Sequence, residues 1–491
     1  MWERWTKGLF LPRMGLVMAR VKIDFLSKQE EDLIHDKSVE ILSTIGVLVR
    51  SESVLDMLGE NGSNVDREKK IAYIPESLVL EAIASAPKRF VLRARNSCND
   101  VELPASELPY LTTDGLTLYM LDVDNGKRRN ATRKDFAQFA MLADALEAIG
   151  FFWPIVTISD VPQTVHNLYE LWDAFNNCTL HVQGDCVSAR DAKRQIELAS
   201  LVSGGSDELR RKPLFSCAID PIAPLSFDEG AIEAQVEFAR FGIPVLCHSM
   251  CIAGMSSPVT IAGTLAIVNA ENLASLVITQ LASRGAPHIY GSSSAPADMV
   301  TGNINFSAPE CLMLSAGAGQ MARRYQRHSM VSDWGVGVKG QGMPSSCSEL
   351  FGRMASTFSG SDLVPGVGGV DNSKGCSLAQ MVVDSVIWDN FRAFSRTLSI
   401  TQEMIALDVV REVGHGNSFL SHPHTAKTFR NELFFWDDEK LAMESTLSDR
   451  MIPKSSEIAK DILRDHTVET LDKSIVSGGE DMLKEYANSS R

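Results

Sequence analysis

Positive charge is what this chain lacks most: 47 Lys and Arg stand against 62 Asp and Glu, a formal net charge of −15. Phosphate binding needs a basic face, which argues against nucleic acid as a partner. Cysteine patterning is also missing. The nine cysteines (98, 178, 186, 217, 247, 251, 311, 347, 376) occur singly in apolar runs, odd in number and without a short repeated spacing. They read as reduced core thiols rather than a disulfide framework. No export signal is evident, because Pro12-Arg13 interrupts the one long enough run within Met1–Arg20. Met14 and Met18 leave the true start open. The most apolar long segment, Val259–Ala282, carries Asn269, Glu271 and Asn272, and so reads as a buried helix rather than a membrane span. An acidic cytoplasmic protein is the simplest account.

Hydrophobic residues at 44% and charged ones at 22% are ample for a packed core. A chain of 491 residues should hold one large domain of about 250 residues plus additions, by the scaling of core size. The organisation expected is an extension at 1–22, an α+β cap region at 23–147, a barrel at 148–415 and a C-terminal segment at 416–491 that packs on it.

In the first part Ser27 caps a helix with Glu30 three residues on, and Gly46 ends it. A strand at Val47–Val49, a helix, the run Lys70–Ile74, a helix at Ser77–Ala86 and a strand at Phe90–Arg95 follow. Tyr110–Asp114 and Thr117–Asp122 alternate around Asp114-Gly115 as a hairpin does, with a further turn at Asp124-Asn125-Gly126.

After the helix Arg133–Ala148 the regime changes. Apolar runs at Phe151–Ile158, Leu180–Gln183, Leu214–Ile219, Ile243–Cys247, His288–Gly291, Ser329–Asp333 and Leu363–Val367 alternate with amphipathic helices. Their spacing of roughly 35 residues suits one βα unit each. Buried strands in such a series predict a TIM (β/α)8 barrel, an α/β fold with the α+β cap in front and a helical tail behind. The eighth strand is either irregular or lies before Phe151. A long helix is expected over about Leu378–Val413, then an element His422-Pro-His424-Thr425 and an aromatic cluster of Phe429, Phe434, Phe435 and Trp436.

Barrel chemistry sits at the carboxyl ends of the strands. The residues there are Ser159-Asp160, Gln183-Gly184-Asp185, Asp220-Pro221, His248, Tyr290 with Ser292, Asp333-Trp334 and Asp371-Asn372. Gly335-x-Gly337-x-x-Gly340 matches half of a dinucleotide signature, but the acidic residue that should end the next strand is misplaced: Asp362 precedes it and Asp371 lies too far beyond. Cys247-His248-x-x-Cys251 matches no zinc spacing, and His422 and His424 read as a turn, so no metal is assigned. Trp153, Tyr290 and Trp334 are expected to face one cavity, either as core filling or as a cage for a quaternary ammonium.

Four segments together resemble the trimethylamine methyltransferase superfamily: Leu26-Ser-Lys-Gln-Glu with its helix, Ala86-Pro-Lys-Arg-Phe-x-Leu-x-Ala-Arg-Asn, Tyr290-Gly-Ser with Asp298-Met-x-Thr-Gly, and Gly416-Asn-x-Phe-Leu-x-His422-Pro-His424-Thr425. The resemblance runs from about Ile23 to Trp436. It implies a TIM barrel that moves an N-methyl group to Co(I) of a separate corrinoid protein, with no tightly bound cofactor of its own and the cobalamin supplied by that partner. Members that demethylate trimethylamine carry pyrrolysine; here every residue is standard, so the resemblance is to the quaternary-amine members, glycine betaine methyltransferases foremost. A quaternary nitrogen needs no acid to leave, which agrees with the lack of a triad or acid–base pair. Trp334, Tyr290 and Trp153 are the expected ammonium site, with Asp333 or Asp371 for negative potential, and Gln183, His248 and the glycine-loop N–H groups for a carboxylate. An NAD-dependent oxidoreductase and a non-catalytic betaine-binding protein are the alternatives. Neither a membrane nor nucleic acid is expected as a partner, and a homo-oligomer is left open.

Overall fold

The computed structural model describes residues 23–106, 108–331, 334, 335, 337, 340–342, 347–395, 400–433 and 451–489. Eight parallel strands close into a barrel in sequence order: β1 (Tyr110–Thr113), β2 (Ile149–Phe152), β3 (His181–Asp185), β4 (Phe215–Ile219), β5 (Val245–Ser249), β6 (His288–Ser292), β7 (His328–Val331) and β8 (Leu363–Val367). Helices follow the strands in turn: α1 (Arg133–Ala145), α2 (His166–Asn177), α3 (Ala189–Ser203), α4 (Glu229–Phe241), α5 (Ile261–Ala282), α6 (Pro309–Arg324), α7 (Cys347–Phe358) and α8 (Leu378–Ser395). This is the TIM (β/α)8 fold, and each of the seven apolar runs overlaps a barrel strand, with boundaries shifted by up to several residues.

Two expectations are corrected. Tyr110–Thr113 does not form a hairpin with Thr117–Asp122; it runs parallel between β8 and β2 and supplies the eighth strand. Asp114-Gly115 does not reverse the chain but leads it out of the barrel, and Tyr119–Leu121 pairs with Arg128–Arg129 and with Gly375–Cys376. The long helix expected over Leu378–Val413 also differs. Among the described residues the helix covers Leu378–Ser395, Ile400 and Thr401 are not helical, and two short helices follow at Gln402–Ile405 and Leu407–Val413.

The N-terminal elements cover the outside and base of the barrel. Ser27 and Glu30 form the expected capping box. The hairpin Phe90–Leu92/Val101–Leu103 inserts Leu92, Val101 and Leu103 among Phe151, Ala218, Leu246, Ile289, Met330 and Leu363, so the base is plugged and the interior is solid there. Helix α5 is apolar and long enough to cross a membrane, but 83% of its most apolar window is buried in the protein. Its polar groups are satisfied locally: Glu271 accepts from Leu225 N and Ser249 Oγ, and Asn272 exchanges hydrogen bonds with the Gly291 backbone.

The helices Met451–Asp465 and Lys473–Ser489 pack on the outer layer, the second over Trp172, Leu168 and Leu198. Gly479 is required there, because a Cβ would lie 2.1 Å from Trp172 Cη2. Arg133 joins this helix to the barrel: its guanidinium donates to both oxygens of Asp173 at 2.8 and 2.6 Å and to Glu480 at 2.9 Å. Arg133→Ala would leave the buried Asp173 carboxylate unpaired and should cost about 2–3 kcal/mol. Denaturant melts check the cost, and faster proteolysis between residues 466 and 489 checks the loosening of the helix.

Candidate functional site at the barrel mouth

Strand parity decides which side chains reach the mouth, since alternate residues of a barrel strand point inward. On β3 the inward set is His181, Gln183 and Asp185; on β5 it is Leu246 and His248; Trp153 continues the inward set of β2 from Phe151. These strand ends bring together Trp153, Asp185, Asp220, His248 and Ser293.

Trp153 is nearly buried, and its indole lies against Gly115, where a Cβ would come within 2.7 Å of Cε2. The indole N–H donates to Asp185 Oδ2 at 3.0 Å. The ring meets the His248 imidazole edge-to-face, centroids 5.5 Å apart. On its other sides His248 places Nε2 2.8 Å from Ser293 Oγ and Nδ1 3.4 Å from Asp220 Oδ1. The order acid, imidazole, hydroxyl is that of a nucleophilic triad, an arrangement the sequence does not reveal. Its acid is 54% exposed rather than buried, so water weakens its hold on the imidazole.

Burial pushes the Asp185 carboxyl up to about 8, with the nearby Asp220 charge adding to the shift and the indole N–H opposing it. Glu170 on α2 is raised to about 8 as well, again by burial, although it accepts from Ile158 N. Among the described residues neither Asp185 nor Asp220 has a Lys or Arg within ion-pair distance.

The other predicted site residues lie elsewhere. Tyr290 has outward parity on β6, and its hydroxyl donates to Asn269 on α5 at 3.3 Å. Trp334 is fully buried in the outer layer, against Trp388 and Phe391 with ring centroids 5.4 and 5.3 Å away, and under the Arg353 guanidinium at 4.9 Å. The three aromatics therefore occupy three separate packing clusters rather than one cavity. Gln183 is inward but one layer deeper, with Nε2 3.6 Å from Met330 Sδ. Asp371 accepts from Tyr119 Oη at 2.7 Å in the small sheet beside the mouth. Asp333 lies outside the described residues. The glycine stretch follows β7 and is held from α8 and the β8 loop: Gln380 pairs with Gly342, and Asn372 donates to Gly337 O. In the sequence Asp185 and Asp220 stand out only as strand-end residues. The signal that singles out Asp185 is its spacing of two from Gln183, which puts both on the inner face.

A family model for trimethylamine methyltransferase (MTTB) matches residues 13–485. The chain belongs to this methyltransferase family. It is 32% identical over 406 residues to trimethylamine methyltransferase MttB of Desulfitobacterium hafniense strain DCB-2, covering 83% of this chain and 82% of that protein. It is 28% identical over 432 residues to the glycine betaine methyltransferase of D. hafniense strain Y51, covering 87% of each. The crystal structure of a hydroxylamine complex of MtmB matches with a TM-score of 0.52 at 13% identity, over 89% of this chain and 92% of that one, which is a likeness of fold.

Two substitutions separate core from mouth. Trp334→Ala should lower stability by about 3–5 kcal/mol through cavity formation, read by denaturant melts; unchanged methyl-donor affinity in the folded variant then assigns the ring to the core. Gly115→Ala should displace the Trp153 indole with little loss of fold, read as a shift in tryptophan emission that is absent in Gly115→Ala/Trp153→Phe.

Proposed function

We propose that this protein transfers an N-methyl group from a quaternary amine, glycine betaine first among the candidates, to Co(I) of a cognate corrinoid protein. The observation that carries the reading is the make-up of the mouth, where an indole and two carboxylates converge without a Lys or Arg partner among the described residues. An aromatic ring attracts a cation that cannot donate hydrogen bonds, and so does an acid without a basic partner once it is ionised. The Ser293 hydroxyl, beside the His248 imidazole, is placed for a betaine carboxylate.

The chemistry asks little of the protein beyond placement. As the methyl carbon passes in line to the acceptor cobalt, the C–N bonding pair stays on nitrogen, so a neutral tertiary amine leaves and no proton is required. The side chains hold the ammonium with one methyl toward the open end of the barrel and exclude water from the others. The rim suits a protein acceptor. Val187, Ile222, Met255, Val259, Met299 and Val300, on the loops after β3 to β6, are each more than half exposed. Val259 and Met299 both approach Gly254, so the β5 and β6 loops present adjoining apolar surface.

Likeness to a glycine betaine methyltransferase at 28% identity supports the donor class. The reading is tested by mixing the protein with reduced corrinoid protein and glycine betaine and following methyl-cobalt and dimethylglycine. Both should appear together, and Trp153→Leu should reduce kcat/KM for the donor by about tenfold or more, the scale of one lost cation–π contact at a desolvated site. Failure of every methylated quaternary amine to give methyl-cobalt would overturn it.

A further inference from the structure

We infer that Asp185 is the counter-ion that selects a permanently charged ammonium, and that it enters the complex as a carboxylate after releasing its proton to solvent. The inference rests on the methyl-donor reading above and names the group that reads the donor's charge.

The geometry leaves Asp185 half satisfied. Oδ2 accepts the Trp153 indole N–H, whereas Oδ1 has no protein donor among the described residues. The side chain is neither sealed in nor fully exposed, so a ligand in the mouth can reach it. The groups that face it are mostly acids. Asp220 approaches from the loop after β4 and Glu170 from α2, and Cys186 follows it in the chain, its thiol pushed up by burial. The group nearby able to carry positive charge is His248 on β5, already engaged with Ser293 and Asp220. Asp220 is a weaker candidate because its exposure lets water screen it. An acid so placed stays protonated at neutral pH, in agreement with its carboxyl held near 8.

A primary, secondary or protonated tertiary amine can satisfy such an acid by sharing an N–H proton. A quaternary nitrogen has no N–H and can stabilise only the charged form. The balance is therefore Asp185–COOH plus R4N+ giving the Asp185–COO−·R4N+ pair plus one H+ to solvent. A neutral carbon isostere of the donor makes no such exchange and binds beside the protonated acid.

The test is calorimetric titration of the full chain with tetramethylammonium and with glycine betaine, in phosphate and in Tris, whose ionisation enthalpies differ. Close to one proton should be released per site at pH 7. The affinity should rise about tenfold per pH unit below pH 8 and level off above it, because only the ionised fraction is competent to bind. In Asp185→Asn both the release and the pH slope should vanish; in Asp220→Asn the release should persist, with the plateau moved to lower pH. Proton-silent binding and a flat affinity in the unaltered protein would overturn the assignment, whether or not any variant folds. So would a slope that survives in Asp185→Asn. Methyl-cobalt formation accompanied by proton-silent binding removes the role of Asp185 alone. Proton release without methyl-cobalt from any quaternary amine removes the transfer reading and leaves a cation-binding site.

Discussion

Closure of the barrel is the constraint on which the rest depends. Strand β1 bonds to β8 on one side and to β2 on the other, with register shifts at both seams. Once the ring is closed, each strand's alternation is locked, and a slip of one residue would exchange its inner and outer faces. Trp153, Asp185 and His248 come to one mouth because their strands are held in phase; Tyr290 turns outward for the same reason.

The loops that carry the mouth are held from outside. Glu271 on α5 accepts from the Leu225 backbone, in the loop after β4 that also carries Asp220, and from the Ser249 hydroxyl, next in the chain to His248. A single buried carboxylate thus ties together the segments that carry Asp220 and His248. On the opposite side α8 holds its neighbouring loops in the same way, with Gln380 on Gly342 and Asp384 on Gly368 N. The acids at the mouth have no Lys or Arg partner among the described residues, so a cationic ligand is free to supply one.

Much of the architecture is legible in the chain. Buried strands on both faces read as continuous apolar runs, and seven of the eight can be located from that signal alone. Tyr110–Thr113 escapes because it is short and is followed by Asp114-Gly115, residues equally suited to a turn and to the exit of a strand. The site is legible in part. Position at a strand end points to Trp153 and His248, whose rings meet at the mouth, but the same rule also admits Tyr290 and Trp334, which the structure places in the outer core.

The chain by itself determined the fold class, the family resemblance and the acidic balance, because hydrophobic periodicity, motif order and charge are properties of the sequence. Only the tertiary structure decided which strand-end residues share the mouth, that Asp185 is bonded by Trp153, and that Trp334 is packed against Trp388 and Phe391. Those facts depend on register and parity between strands distant in the chain, and on which polar groups are left unpaired after folding. No local pattern of residues encodes either.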